Sequence, residues 1–151
     1  MADHYLEFSE IIDNLTPEEA AWLEQQLGTV PNTDCPVFLV DCSDREPNDT
    51  DCGFEHIFEE DDGRCRLWVG SDYGSNIDHV AYLAQKFLKR FRPDQCWSLT
   101  YAVTCSKLRA GEFGGGAVFV TADEIKYQDT HTFVEQQRTE FQLQHPLETQ
   151  T

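Results

Sequence analysis

From Trp97 to Cys105 the side chains alternate without a break: Trp97, Leu99, Tyr101, Val103 and Cys105 at one parity, Ser98, Thr100, Ala102 and Thr104 at the other. A period of two marks a strand with one buried face, so the chain is committed to a sheet with a core on one side. A cover for that sheet is legible too. Ile77, Val80, Ala84, Phe87, Leu88 and Phe91 trace one stripe of a helix that Ser75-Asn76 can cap and Pro93 ends.

The remaining elements follow from spacing and punctuation. Leu6, Ile11, Ile12 and Leu15 predict a short amphipathic helix over residues 5–14. Thr16-Pro17-Glu18-Glu19 reads as a second helix start, with Thr16 as N-cap and Glu19 closing a capping box, and that helix runs to Leu27 and stops at Gly28. Cys35 to Val40 is an apolar run expected to be a buried strand, and Asp41 to Gly53 is the one long loop. Phe54–Glu60 and Arg64–Gly70 form two strands joined by Asp61-Asp62-Gly63. Alternation puts Phe54, His56 and Phe58 opposite in face to Glu55, Ile57 and Glu59, and Trp68 opposite to Cys65, Leu67 and Val69. Gly111 to Gly116 connects into a strand over Ala117–Ala122, and a helix over His131–Gln142 turns Phe133, Val134, Gln137 and Phe141 inward. Short connections between neighbouring strands favour antiparallel pairing. The expected fold is α+β, an antiparallel sheet of about five strands with helices packed on one face, forming a single domain over residues 1–143, with residues 144–151 as a disordered C-terminal tail.

With 151 residues, ten Phe, five Tyr and three Trp, the chain can build an ordinary core without staples. It carries no leader-like N-terminus and no run near the roughly 18 apolar residues that span a bilayer, so a cytoplasmic protein that makes no membrane contact is expected. Six cysteines in that compartment are free thiols, and none forms the close Cys-x2-Cys pair of a structural zinc site. No cofactor and no metal are expected. Gly111–Gly116 lacks the Gly-Lys-Ser/Thr of a phosphate loop and leads into a strand, not a helix. Asp49 to Glu60 has the length of a calcium loop but Phe54 where its glycine belongs. The histidines show no His-x-x-x-His pair, and His56 beside Cys65 is read as a structural residue in preference to half of a Cys–His pair. No catalytic residues are assigned.

Charge is the informative feature. Residues 1–62 hold 18 carboxylates and one base, Arg45, while residues 63–151 hold ten of each, so the entire formal charge of −17 belongs to the first two-fifths of the chain. Ion pairing inside that segment cannot offset it. Either Lys86, Lys89, Arg90 and Arg92 of the later helix quench the carboxylates, or an acidic surface stays exposed. The candidate partner-binding residues are Asp41, Asp44, Glu46, Asp49, Asp51, Glu55, Glu59, Glu60, Asp61 and Asp62. Such a surface suits a basic protein, in particular a nucleic-acid-binding one whose Lys and Arg groups ordinarily meet phosphates; direct binding of nucleic acid is excluded by the sign of the charge. In size and charge the chain resembles the small acidic antirestriction and anti-CRISPR proteins of phages and plasmids. That resemblance implies an inhibitor acting as a nucleic-acid mimic. Two other readings stay open: a non-catalytic homo-oligomeric interaction protein, such as a homodimer formed through an apolar patch at Trp68, and a small enzyme whose site is assembled from residues distant in sequence.

Overall fold

The computed structural model describes residues 3–42, 53–72, 74 and 76–146. Its elements run β1 (His4–Leu15), α1 (Pro17–Leu27), a 3-10 turn (Val37–Leu39), β2 (Glu55–Asp61), β3 (Arg64–Ser71), α2 (Ile77–Phe91), β4 (Trp97–Cys105), β5 (Gly114–Val120), β6 (Ile125–Asp129) and α3 (Thr130–Gln144). The strands form one antiparallel six-stranded sheet ordered β2-β3-β1-β4-β5-β6. Because β3 pairs antiparallel with both β1 and β2, those two run parallel with β3 between them, a split β-α-β arrangement. Beyond β4 the sheet continues as the β4-β5-β6 meander.

The first segment corrects the helix expected over residues 5–14. It is the central strand, and its true period is two: Phe8 and Ile12 are buried on one face while Glu7, Ser9 and Ile11 take the other. Glu10 hides the alternation by placing a carboxylate in the inward phase. It can stand there because β1 leaves β4 after Glu7 pairs with Ala102, and in the gap Glu10 Oε1 accepts the Thr100 amide at 3.4 Å. Trp97 Nε1 donates to the Ile11 carbonyl across the same gap, at 3.0 Å. A bulge follows between Ile12 and Leu15, with Asn14 at a φ of 53°, and it returns Leu15 to the core.

α1 begins as its sequence dictates. Thr16 Oγ1 accepts the Glu19 amide and Glu19 Oε1 accepts the Thr16 amide, closing the capping box. Residues 35–40 are not the expected strand. They form a 3-10 turn tied by a single bridge between Thr29 and Pro36, although the apolar content still buries Phe38 and Leu39 completely. The β2–β3 turn is Asp62-Gly63, both at positive φ (51° and 77°), with Asp61 paired to Arg64. That is the two-residue hairpin geometry in which glycine is favoured. The sixth strand, β6, was not anticipated, because Ile125-Lys126-Tyr127-Gln128-Asp129 is short and mostly polar and lies at the sheet edge.

The core lies between one sheet face and the helices α1 and α2. Leu23 and Leu27 of α1, Phe38 and Leu39 of the turn, and Val80, Leu83, Ala84, Phe87 and Leu88 of α2 meet Leu67, Val69, Leu99, Val118 and Val120 of the sheet. At about 25 cal/mol per Å² of apolar surface removed from water, this layer is the main favourable contribution to folding. α3 is a further correction. Phe133, Val134, Gln137 and Phe141 do not turn inward: every residue of α3 is exposed. Among the described residues no helix is long and apolar enough to cross a membrane. The expected tail overlaps the end of α3 at Gln144, and residues 147–151 of it lie outside the described residues.

Candidate binding face

The opposite face of the sheet is covered by neither α1 nor α2. Register fixes what it displays: Glu55, Gly70 and Ser9 form one cross-strand row, Ile57, Trp68 and Ile11 the next, then Glu59 with Arg66 and Asp61 with Arg64. Ile57 and Ile11 are exposed and Trp68 is half-buried. An apolar row thus lies between Glu55 on one side and the Glu59–Arg66 and Asp61–Arg64 rows on the other.

Trp68 owes its position to Gly70. A side chain at residue 70 would place its first carbon 2.4 Å from Trp68 Cζ2 and 2.8 Å from the Phe8 carbonyl oxygen, so only the absence of one lets the indole lie back over the strand. Trp68 Nε1 then donates to Ser9 Oγ at 2.8 Å, which fixes the ring. Beside it opens a shallow cleft of about 480 Å³ lined by Glu7, Ser9, Glu55, Trp68, Ser71 and Asp72, together with Phe8. Three of these carry carboxylates. No basic side chain is among the described residues that line it. An aromatic ring beside carboxylates is the arrangement that receives a Lys or Arg side chain, through cation–π attraction and ion pairing together.

The ten acidic residues singled out from sequence fall in several places. Asp44, Glu46, Asp49 and Asp51 lie outside the described residues, as does most of the Asp41–Gly53 loop and the start of the calcium-like stretch. Asp41 sits on the helix side, where Lys86 Nζ at 3.0 Å and the Tyr82 hydroxyl at 2.9 Å both donate to its Oδ1. These hydrogen bonds, from Lys86 first and then Tyr82, hold the Asp41 carboxyl below its ordinary value, and burial followed by the Asp41 contact pushes Tyr82 up to about 12. Glu59 lies 3.6 Å from Arg66. Asp61 and Asp62 line a second cleft, of about 360 Å³, that they share with Asp13, Arg64 and Arg66. Glu60 is exposed at the end of β2 on the other face. Of the six described candidates, only Glu55 lines the Trp68 cleft.

Bases of the second half therefore do meet acids of the first. The tightest case is Arg92, whose Nε donates to Glu19 Oε2 at 2.9 Å and whose Nη2 donates to Glu19 Oε1 at 3.1 Å and to the Asp13 and Asn14 carbonyls, each at 3.0 Å. Burial pushes the Glu19 carboxyl up, but the Arg92 and Thr16 hydrogen bonds and the Arg92 charge outweigh it and hold the group below its ordinary value. On the core side of β2, His56 pairs with Val69 while Cys65 pairs with Glu60, so Cys65 stands four positions from the residue opposite His56 and the two are not cross-strand partners. Burial lowers the His56 pKa.

Glu7 and Asp72 were not among the sequence candidates, and Trp68 was expected only as the apolar patch of a homodimer, not beside carboxylates. Trp68 was legible as out of phase with Leu67 and Val69, but Glu7 was concealed by the helical reading of β1, and the place of Asp72 depends on the register of β3 against β1. No protein-family model, curated protein or solved structure matches this chain.

Proposed function

We propose that this protein is a binding protein that captures a basic partner on the helix-free face of its sheet, with a Lys or Arg side chain of that partner entering the cleft beside Trp68. The observation that carries the reading is the composition of that cleft: Glu7, Glu55 and Asp72 around an indole held by Ser9, and no cation of the chain's own among the described lining residues. The adjacent row of Ile57, Trp68 and Ile11 offers the apolar centre that protein interfaces use, and the surrounding carboxylates form a charged rim. Opposite charge on the partner speeds encounter and fixes its orientation more than it adds affinity.

Imitation of a nucleic acid is the narrower form of this reading, and magnitude weighs against resting it on the hairpin. Glu55, Glu59 and Asp61 share the outer face of β2 over about 20 Å, where a duplex would carry about 12 charges. Arg66 and Arg64 lie across from two of those three. The described surface suits a partner with apolar as well as basic groups better than a groove shaped for phosphates.

Binding of a fluorescent Lys/Arg-rich peptide, measured by anisotropy at low and at high salt, tests the proposal. Charge reversal at Glu55 and Asp72 is expected to weaken binding at least tenfold, about 1.4 kcal/mol. The control reverses Glu18 and Glu24, exposed on α1, and so changes net charge equally. Equal losses from the two pairs would mean that the peptide reads net charge alone, and the cleft would be discarded. Competition by duplex DNA for a basic protein partner would favour the mimic.

A further inference from the structure

Among the described residues nothing covers the helix α3 beyond its first turn. It follows β6 with no intervening residue, and Asp129 caps it by accepting the Thr132 amide at 2.7 Å. Its first turn touches the sheet where Thr130 and His131 rest on Gly114, a contact that a side chain at residue 114 would obstruct at about 3.0 Å. Beyond that turn Phe133, Val134, Phe141 and Leu143 stand 52, 48, 61 and 78 % exposed. A helix of 15 residues is marginal in water when nothing packs on it. Thr132, Val134, Thr139 and two phenylalanines weaken it further, since β-branched and aromatic residues lose side-chain freedom in a helix.

We infer that α3 is covered by α3 of a second copy, packed antiparallel about a twofold axis. Three observations select this occupant. The first is charge. Two chains of net −17 repel, but the half that contains α3 carries equal numbers of acids and bases, and α3 itself holds Glu135 and Glu140 with Arg138. A second copy therefore meets least repulsion here, whereas a strongly basic partner is drawn to the opposite end of the sequence. The second is self-complementarity. Val134, Gln137, Phe141 and Gln144 are spaced three, four and three residues apart, the seam of a two-helix coil. Antiparallel pairing sets Val134 of one copy against Phe141 of the other on both sides of the axis and leaves Gln137 near its own equivalent, where two amides can hydrogen-bond. The third is area. Phe133, Val134 and Phe141 lie on or beside the seam, while Leu143 points away from it, so with about 150–250 Å² for a large aromatic side chain the half-exposed seam offers on the order of 300 Å² of apolar surface per copy. Two copies and the polar flanks of the seam then reach on the order of 1,000 Å², the size of a weak and reversible association. This inference is independent of the open sheet face and of its basic partner.

Sedimentation equilibrium of the full chain across a dilution series, at low and at high salt, tests the inference. A reversible dimer is expected, and it should strengthen as salt screens the repulsion between acidic copies; capture of a basic partner should respond in the opposite direction. Phe141→Glu and Val134→Glu should each raise the dissociation constant at least tenfold, with near-ultraviolet circular dichroism showing the core unchanged. Hydrogen exchange at α3 amides should accelerate on dilution of the wild type. A wild type that stays monomeric at millimolar concentration would overturn the inference. So would a dimer that survives Phe141→Glu but dissociates on Ile57→Glu, because the contact would then lie on the open sheet face.

Discussion

Replacing Arg92 by Met removes the group that joins the acidic first segment to the end of α2. Four donated hydrogen bonds are lost, two to Glu19 and two to the Asp13 and Asn14 carbonyls. Glu19, 6 % exposed, is left as a buried carboxylate without its cation. Orphaning one member of a buried pair costs about 3–5 kcal/mol. The lower figure applies here, because Glu19 keeps the Thr16 amide and Arg92 was itself partly in contact with water. Glu19→Gln retains an acceptor for the capping box and is expected to cost only about 1–2 kcal/mol. In the double variant no unpaired charge remains, so its cost should fall short of the sum by about 2–3 kcal/mol. Urea denaturation at pH 7 measures all three, and the Arg92→Met transition should fall by roughly 6–12 °C in a thermal scan. Acid provides an internal check. A carboxyl held below its ordinary value of 4.5 stabilises the fold above that pH, and the stabilisation is lost as pH falls through the lower folded-state value. The gap between wild type and Arg92→Met must therefore narrow in acid. A cost under about 1 kcal/mol, or additive single effects, would mean that Arg92 and Glu19 are not coupled as a buried pair.

Gly70→Ala forces its new carbon against Trp68 and the Phe8 carbonyl, so it should destabilise by about 1–3 kcal/mol and also weaken peptide binding by displacing the indole; a variant as stable as wild type with Trp68 unmoved, judged by its side-chain NMR contacts to Ser9, would refute the packing. His56 has its pKa lowered by burial, so the unfolded chain binds its proton first as pH drops below the ordinary 6.5, and stability should decline from there down to the folded-state value. His56→Gln should flatten that part of the stability profile, and an unchanged profile would exclude His56 as its source.

What could be read in advance depended on whether a segment's own residues satisfy its geometry. Trp97–Cys105 and Ile77–Phe91 were legible because each carries a full period with its caps, and the Asp62-Gly63 turn because glycine at positive φ leaves little choice. β1 was misread because the group that makes Glu10 tolerable, the Thr100 amide, lies 90 residues away. Residues 35–40 were misread because an apolar run records burial without saying whether the chain is extended or turned. In α3 the apolar stripe was seen correctly and its cover wrongly assumed: periodicity shows that a face wants a neighbour and cannot show that the neighbour belongs to the same chain. The same limit applied to the site. The excess of acid was plain, but its division between the helix side and the open face rests on pairings such as Glu19 with Arg92, 73 residues apart.

That division separates the charges the fold uses from those it leaves over. On the helix side, Arg92 and Lys86 approach Glu19 and Asp41 at 2.9 and 3.0 Å, and the Glu19 pair is largely shielded from solvent. Arg92 is the C-cap of α2, where the helix dipole favours positive charge, so there the two effects reinforce one another, while Lys86 reaches Asp41 from more than a turn earlier in the helix; in both places the neighbouring acids become part of the packing. On the open face the ion pair of Glu59 with Arg66 is longer at 3.6 Å and more exposed, a kind that contributes about 0–1 kcal/mol. Glu7, Glu55 and Asp72 sit together there without a cation among the described residues of their cleft. Within the isolated chain their mutual repulsion can only oppose folding, weakly, so packing gives no reason for the cluster. A cation from another molecule would turn that repulsion into attraction, and the indole of Trp68 already forms one wall of the space it would enter.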